Sequence, residues 1–186
     1  MSQRLKRVFA ILVISSATFT MLLCGSFLYN RFLFDKPLEN NITKLSSIGS
    51  FKYENLNTKS KITVQFNVAK KLRTSFYQLL EQIDNQLDDS PDSLIIEIDN
   101  VPNESLGNFL REARLPVHEA MSTGEFTTLP EKLEQLAEAA QVYFELELDN
   151  DFVFLTAAAD SAAAHLVIAR GDSPVKVVTT MGGEYL

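Results

Sequence analysis

The chain has 186 residues, 46% of them hydrophobic and 22% charged, which suits one domain with its own core. Beyond residue 36 there are 12 Lys and Arg against 23 Asp and Glu, a balance of −11. A surface this acidic repels phosphate backbones and anionic headgroups, which argues against nucleic-acid binding and peripheral lipid binding. The single cysteine, Cys24, leaves the later chain without disulfide or thiolate chemistry.

Val8 to Tyr29 is a run of 22 uncharged residues, long enough at ~1.5 Å per residue to cross a ~30 Å hydrocarbon core. Arg4, Lys6 and Arg7 precede it, and Arg31 with the opposed pair Asp35 and Lys36 follow. The positive-inside bias therefore places a stub, residues 1–7, in the cytoplasm. A single-pass span covers residues 8–29, and the rest lies on the extracytoplasmic side of the cell membrane. The same order of basic stub and apolar run describes a cleaved signal, but 22 residues exceed the ~7 to 15 of a signal's central region, so the segment reads as a signal-anchor. Leu23 before Cys24 departs from the small residue that precedes a lipid-modified cysteine in bacterial lipoproteins. A cysteine-free exported domain suits a bacterial envelope.

Residues 30–50, polar and broken by Pro37, read as a juxtamembrane spacer, with an extracytoplasmic α+β domain over residues 51–186. In it, SFKYENLN and KITVQFN alternate like strands. Asn67 is placed to cap a helix whose apolar residues, from Val68 through Leu72, Phe76, Leu79, Leu80 and Ile83 to Leu87, fall three or four apart. SLIIEIDN follows the breaker run DDSPDS as a strand, completing a strand–helix–strand crossover. Asn103 caps a second helix with Leu106, Phe109, Leu110 and Ala113 inward, which Pro116 is expected to interrupt. Thr128 and Glu131 have capping-box spacing for a third helix carrying Leu133, Leu136, Ala137 and Ala140.

The remainder, VYFELELD, FVFLTAAA, AAAHLVIAR and PVKVVTT, is strand-like with short turns, which predicts an antiparallel meander of about four strands. The expected fold is thus an N-terminal transmembrane helix followed by a small domain whose mostly antiparallel sheet is covered on one face by about three helices. Ala157 to Ala159 opposite Ala162 to Ala164 would form a flat patch that one of the protein's own helices can cover. His165, alternating with apolar neighbours, reads as a half-buried, satisfied histidine, and GGEYL as an exposed tail.

Signatures of catalysis are absent from the sequence: no HExxH, CxxC, GxSxG or phosphate-cradling glycine loop. No catalytic, cofactor-binding or metal residue is assigned, and the expectation is a non-enzyme. The one polar cluster to test is His118 with Glu119 and Glu125, a histidine and two carboxylates in a short stretch that could sense protons or hold a metal. The sequence-level expectation is a membrane-anchored interaction or assembly module of the cell envelope, engaging a protein partner or itself. The competing class is a ligand-sensing or hydrolytic domain around His118 and Glu119. A deep pocket there would favour the second, and a shallow surface with an open strand edge the first.

Overall fold

The structure is a computed structural model that describes residues 12–13, 15–25, 42, 45–56, 59–67, 71–85, 94–101, 103–171, 173 and 175–186. It divides into two compact units, Met1–Asn40 and Asn41–Leu186.

In the first unit, residues 12–13 and 15–25 are helical. Leu12, Val13, Phe19, Met21, Leu22 and Leu23 are exposed, and the hydroxyl of Thr20 donates to the carbonyl of Ser16 at 2.9 Å, four residues back. No helix among the described residues is long and apolar enough to cross a membrane. Residues 8–11 and 26–29 of the expected span lie outside them.

The second unit is α+β. Its elements are β1 (Ile48–Leu56), β2 (Lys59–Phe66), α1 (Leu72–Asp84), β3 (Leu94–Asn100), α2 (Glu104–Thr123), α3 (Leu129–Ala140), β4 (Tyr143–Leu148), β5 (Phe152–Ala159), β6 (Ala162–Ala169), β7 (Val175–Met181) and β8 (Glu184–Tyr185). They form a five-stranded mixed sheet in the order β1-β2-β3-β7-β8 and a three-stranded antiparallel sheet β4-β5-β6. β2 and β3 are parallel, as the crossover reading requires, with Ile62 beside Ile96 and Val64 beside Ile98. These four are fully buried. The alternate residues of β2 and β3 are half-buried and include Lys61 and Glu97, which pair at 2.9 Å.

The expectation of a single sheet is corrected. The meander stops after three strands, and PVKVVTT becomes β7, parallel to β3 with Val177 beside Ile96 and Thr179 beside Ile98. Alternation specifies that a strand has an apolar side, not which strand it joins. After Ala169 the chain does not fold back in a two-residue turn: the N–H of Arg170 bonds to the carbonyl of Asp151, and the chain then leaves the small sheet.

β5 explains how the layers join. Phe152, Val153, Phe154 and Leu155 are all buried, so both faces of the small sheet are covered. Val153, Leu155 and Ala157 belong to one core with Leu106, Phe109, Leu110, Ala113 and Val117 of α2 and with Leu129, Leu133 and Ala137 of α3. On the other face Phe76 of α1 meets Phe152 and Phe154 edge-on, with ring centroids 5.1 and 5.7 Å apart. Truncating a phenylalanine in such a setting costs ~3–5 kcal/mol. The alanine block pairs as expected, Ala157 opposite Ala164 and Ala158 opposite Ala163, and the helical core packs against it.

Four local expectations are also corrected. α1 begins at Leu72 with Lys71 at its cap, while Asn67 donates from Nδ2 to the carbonyl of Ser46 and so holds the start of β1. Val68 and Leu87 lie outside the described residues. α2 runs through Pro116 to Thr123 and ends at Gly124, whose φ of 77° provides the left-handed stop. Pro116 is half-buried and leaves the carbonyl of Glu112, an exposed residue, without its helical donor, while Ala113, Val117 and Ala120 are buried in the core. Thr128 stands at the α3 cap without a side-chain hydrogen bond. The C-terminal residues are not a free tail: Glu184 and Tyr185 pair with β7, and Leu186 is buried. The Asn103 cap is as expected, its side chain accepting from the N–H of Leu106 at 3.0 Å.

The turn between β4 and β5 is tied down by one carboxylate. Asp149 Oδ1 accepts the N–H groups of Asp151 and Phe152, and Oδ2 accepts the Tyr77 hydroxyl at 3.0 Å and Arg73 Nε at 3.1 Å. Burial alone would raise its pKa, but the two backbone N–H groups, the Tyr77 hydroxyl and Arg73 outweigh it and hold the carboxyl below its ordinary range. Burial, with Asp149 beside it, pushes the Tyr77 phenol up to about 12.

Candidate functional site

His118 and Glu119 lie exposed near the C-terminal end of α2, and Glu125 follows the Gly124 stop. His118 does not join the two carboxylates. The carboxylate of Glu119 is taken by Lys132 of α3, and the N–H of Glu125 donates to Thr123 Oγ1. Glu119 and Glu125 line a cleft with Pro116, Thr128 and Lys132, but its volume is about 10 Å³ and His118 is not in its wall. That is about the space of one water. Among the described residues no three His, Cys, Asp or Glu side chains are grouped to hold a metal.

A larger, open cleft of about 230 Å³ runs between the first turns of α2 and the end of β7, lined by Asn103, Glu104, Gly107, Arg111, Met181 and Tyr185 among others. Three of its polar side chains are engaged: Asn103 caps α2, and Arg111 donates to Asn108 at 2.9 Å.

Sequence reasoning missed the role of Asn100, at the end of β3. Its Oδ1 accepts the N–H of His165 at 2.7 Å, and its Nδ2 donates at 3.0 Å to the carbonyls of both His165 and Thr180. The side-chain amide thus substitutes for a peptide group and joins β6 to β3 and β7. Beside it, Asp99 accepts from Gln65, from the Thr180 hydroxyl and from the N–H of Gly183. The periodicity of LIIEIDN places Asn100 on the buried side, and a buried amide is the signal that could have found it.

His165 is buried, not half-buried, and only one ring nitrogen is satisfied. Nδ1 lies 3.2 Å from Thr156 Oγ1, Nε2 has no partner, and the ring meets Phe66 edge-on at 6.1 Å. Burial pushes its pKa down to about 4, so the imidazole is neutral at pH 7.

The edges of the small sheet differ. The N–H of Asp149 bonds to the carbonyl of Phe152, and the ladder alternates from there, so Glu147, Glu145 and Tyr143 bond to β5 while Phe144, Leu146 and Leu148 turn their N–H and C=O groups outward. By the same count β6 turns Ala163, His165, Val167 and Ala169 outward, and Asn100 takes both groups of His165. β4 has no strand on its outer side, and no hydrogen bond among the described residues takes its outward groups. Tyr143 is 83% exposed at one end and Leu148 40% at the other.

Comparisons with family models, with curated proteins and with solved structures find no match to this chain.

Proposed function

We propose that this chain is a membrane-anchored interaction module of the cell envelope, non-catalytic, its acidic domain held on the extracytoplasmic side by one span through residues 8–29. The observation that carries the reading is the open edge of β4, six residues in unbroken register, three of which present backbone groups that no described residue pairs. The cleft at Glu119 and Glu125, with a volume of about 10 Å³, supports the same choice over a ligand site at those residues, which calls for a larger enclosure. The exposed apolar side chains of the N-terminal helical residues support the anchor. The anchor confines the domain to a thin layer beside the membrane, raising its effective concentration for another component there.

Photo-crosslinking from single positions of the full-length protein in its native membrane tests this. Positions 143 and 148 on the β4 edge are compared with position 118 on α2. A discrete adduct from any of them supports a module, and the edge positions are expected to give it. No discrete adduct from any position rejects the reading. For the anchor, the protein is expected to stay with membranes through an alkaline carbonate wash, and release of a shortened soluble form would contradict it.

A further inference from the structure

The two sheets treat their free edges differently, and the difference points to a partner. Of the large sheet's edges, β8 is two residues long, and β1 has a register shift between Ile48 and Ser50 and carries Lys52, all common guards against strand addition. β4 has none of these guards: its register is continuous, it holds no lysine and no proline, and its only charges are Glu145 and Glu147.

Those glutamates and Tyr143 share one face of the strand, while Phe144 and Leu146 join the helical core on the other. Glu145 is exposed and Glu147 half-buried, and no cation among the described residues pairs with either. An added strand would set side chains opposite each of these positions, on the same face. A second copy fits poorly. Antiparallel pairing about a two-fold at Leu146 sets Glu145 against Glu147 of the other copy twice, and a two-fold at either glutamate sets it against itself, a like-charge pair in each case.

We infer that the β4 edge receives an extended segment of another protein in which basic and apolar residues alternate. The basic residues lie opposite Glu145 and Glu147, with the aromatic face of Tyr143 available to a cation. The apolar ones extend the row of Phe144, Leu146 and Leu148, and the backbone takes the outward groups of those three residues. This rests on the module reading and gives the chemistry of the partner.

The test uses the full-length protein in nanodiscs and an alternating lysine–valine hexapeptide, with an alternating glutamate–valine hexapeptide as control. Amide exchange is followed residue by residue. The basic peptide is expected to slow exchange at Phe144, Leu146 and Leu148 by about tenfold or more at saturation, and to leave Glu145 and Glu147, already bonded to β5, unchanged. The double substitution E145K/E147K leaves the outward backbone intact, and is expected to weaken the basic peptide about tenfold and to let the acidic peptide protect the same three amides. Binding without protection of those amides would mean attraction to the acidic surface alone and would overturn the proposal, as would equal protection by both peptides. Protection of the three amides in the absence of peptide, rising with protein concentration, would assign the edge to a second copy and overturn it too. A specific adduct from position 118 but none from 143 or 148 would reject this partner and keep the module reading.

Discussion

His165 gives the domain a definite acid limit. The unfolded imidazole takes a proton near pH 6.5, whereas the buried one resists until about pH 4. Its contribution is therefore fully present above pH 6.5 and is lost as pH falls toward 4, on the order of 3 kcal/mol over that window. Urea unfolding at pH 7 and 4.5 should show that fall, and the substitution His165→Leu should flatten it; an unchanged slope would mean another group titrates. Asn100 carries a stake of similar size. Asn100→Ala leaves the N–H and C=O of His165 buried without partners at ~1–3 kcal/mol each, so a loss of at least about 2 kcal/mol is expected in urea unfolding at neutral pH. Asn100→Asp keeps the acceptor but loses both donor bonds and buries a charge, so it should be no better at pH 7. Asp149 acts with the opposite cause but in the same direction: its pKa is held down, so its stabilisation is present above the ordinary carboxylate range and is lost as pH drops through its lowered value.

At the scale of elements, helix α2 is a contest between a proline and a core. A mid-helix proline costs ~3 kcal/mol, yet the helix continues through it with Ala113, Val117 and Ala120 buried on its inner side. Pro116→Ala should therefore raise stability by about 1–2 kcal/mol without altering the helix, a gain readable as a higher melting temperature; a loss would mean the proline shapes the turn below it. Sequence reading went wrong at this proline because it weighed local propensity without knowing what the opposite face touched. It succeeded where the pattern and the packing agree, as in the strand–helix–strand unit, the Asn103 cap and the paired alanines. It placed PVKVVTT in the wrong sheet because Val177 and Thr179 alternate equally well beside β6 or β3. The surroundings of the candidate cluster were not legible for a related reason: His118, Glu119 and Glu125 are close in sequence, but a continuous helix turns the first two to different sides and Lys132 arrives from α3 to pair with Glu119. The open edge of β4 was anticipated only as a class of surface. Which strand stays unpaired depends on how the whole chain is ordered.

On the scale of the whole molecule, the proposed parts have complementary tasks: an apolar segment that fixes position and an acidic domain that presents one unguarded strand. Three of the first seven residues are basic, and the acidic excess lies in the domain, so the domain's field repels anionic headgroups and leaves its surface free for a basic protein segment. Such recognition weakens as salt screens exposed charges over a Debye length of ~8 Å at physiological ionic strength, so the affinity of the lysine–valine peptide should fall as salt rises. A salt-independent affinity would indicate that backbone and apolar contacts alone carry it. The most direct test of the central claim is site-resolved photo-crosslinking in the native membrane. The account predicts a discrete adduct from positions 143 and 148 that is absent from position 118; adducts indistinguishable among the three positions, or none from the β4 edge, would contradict it.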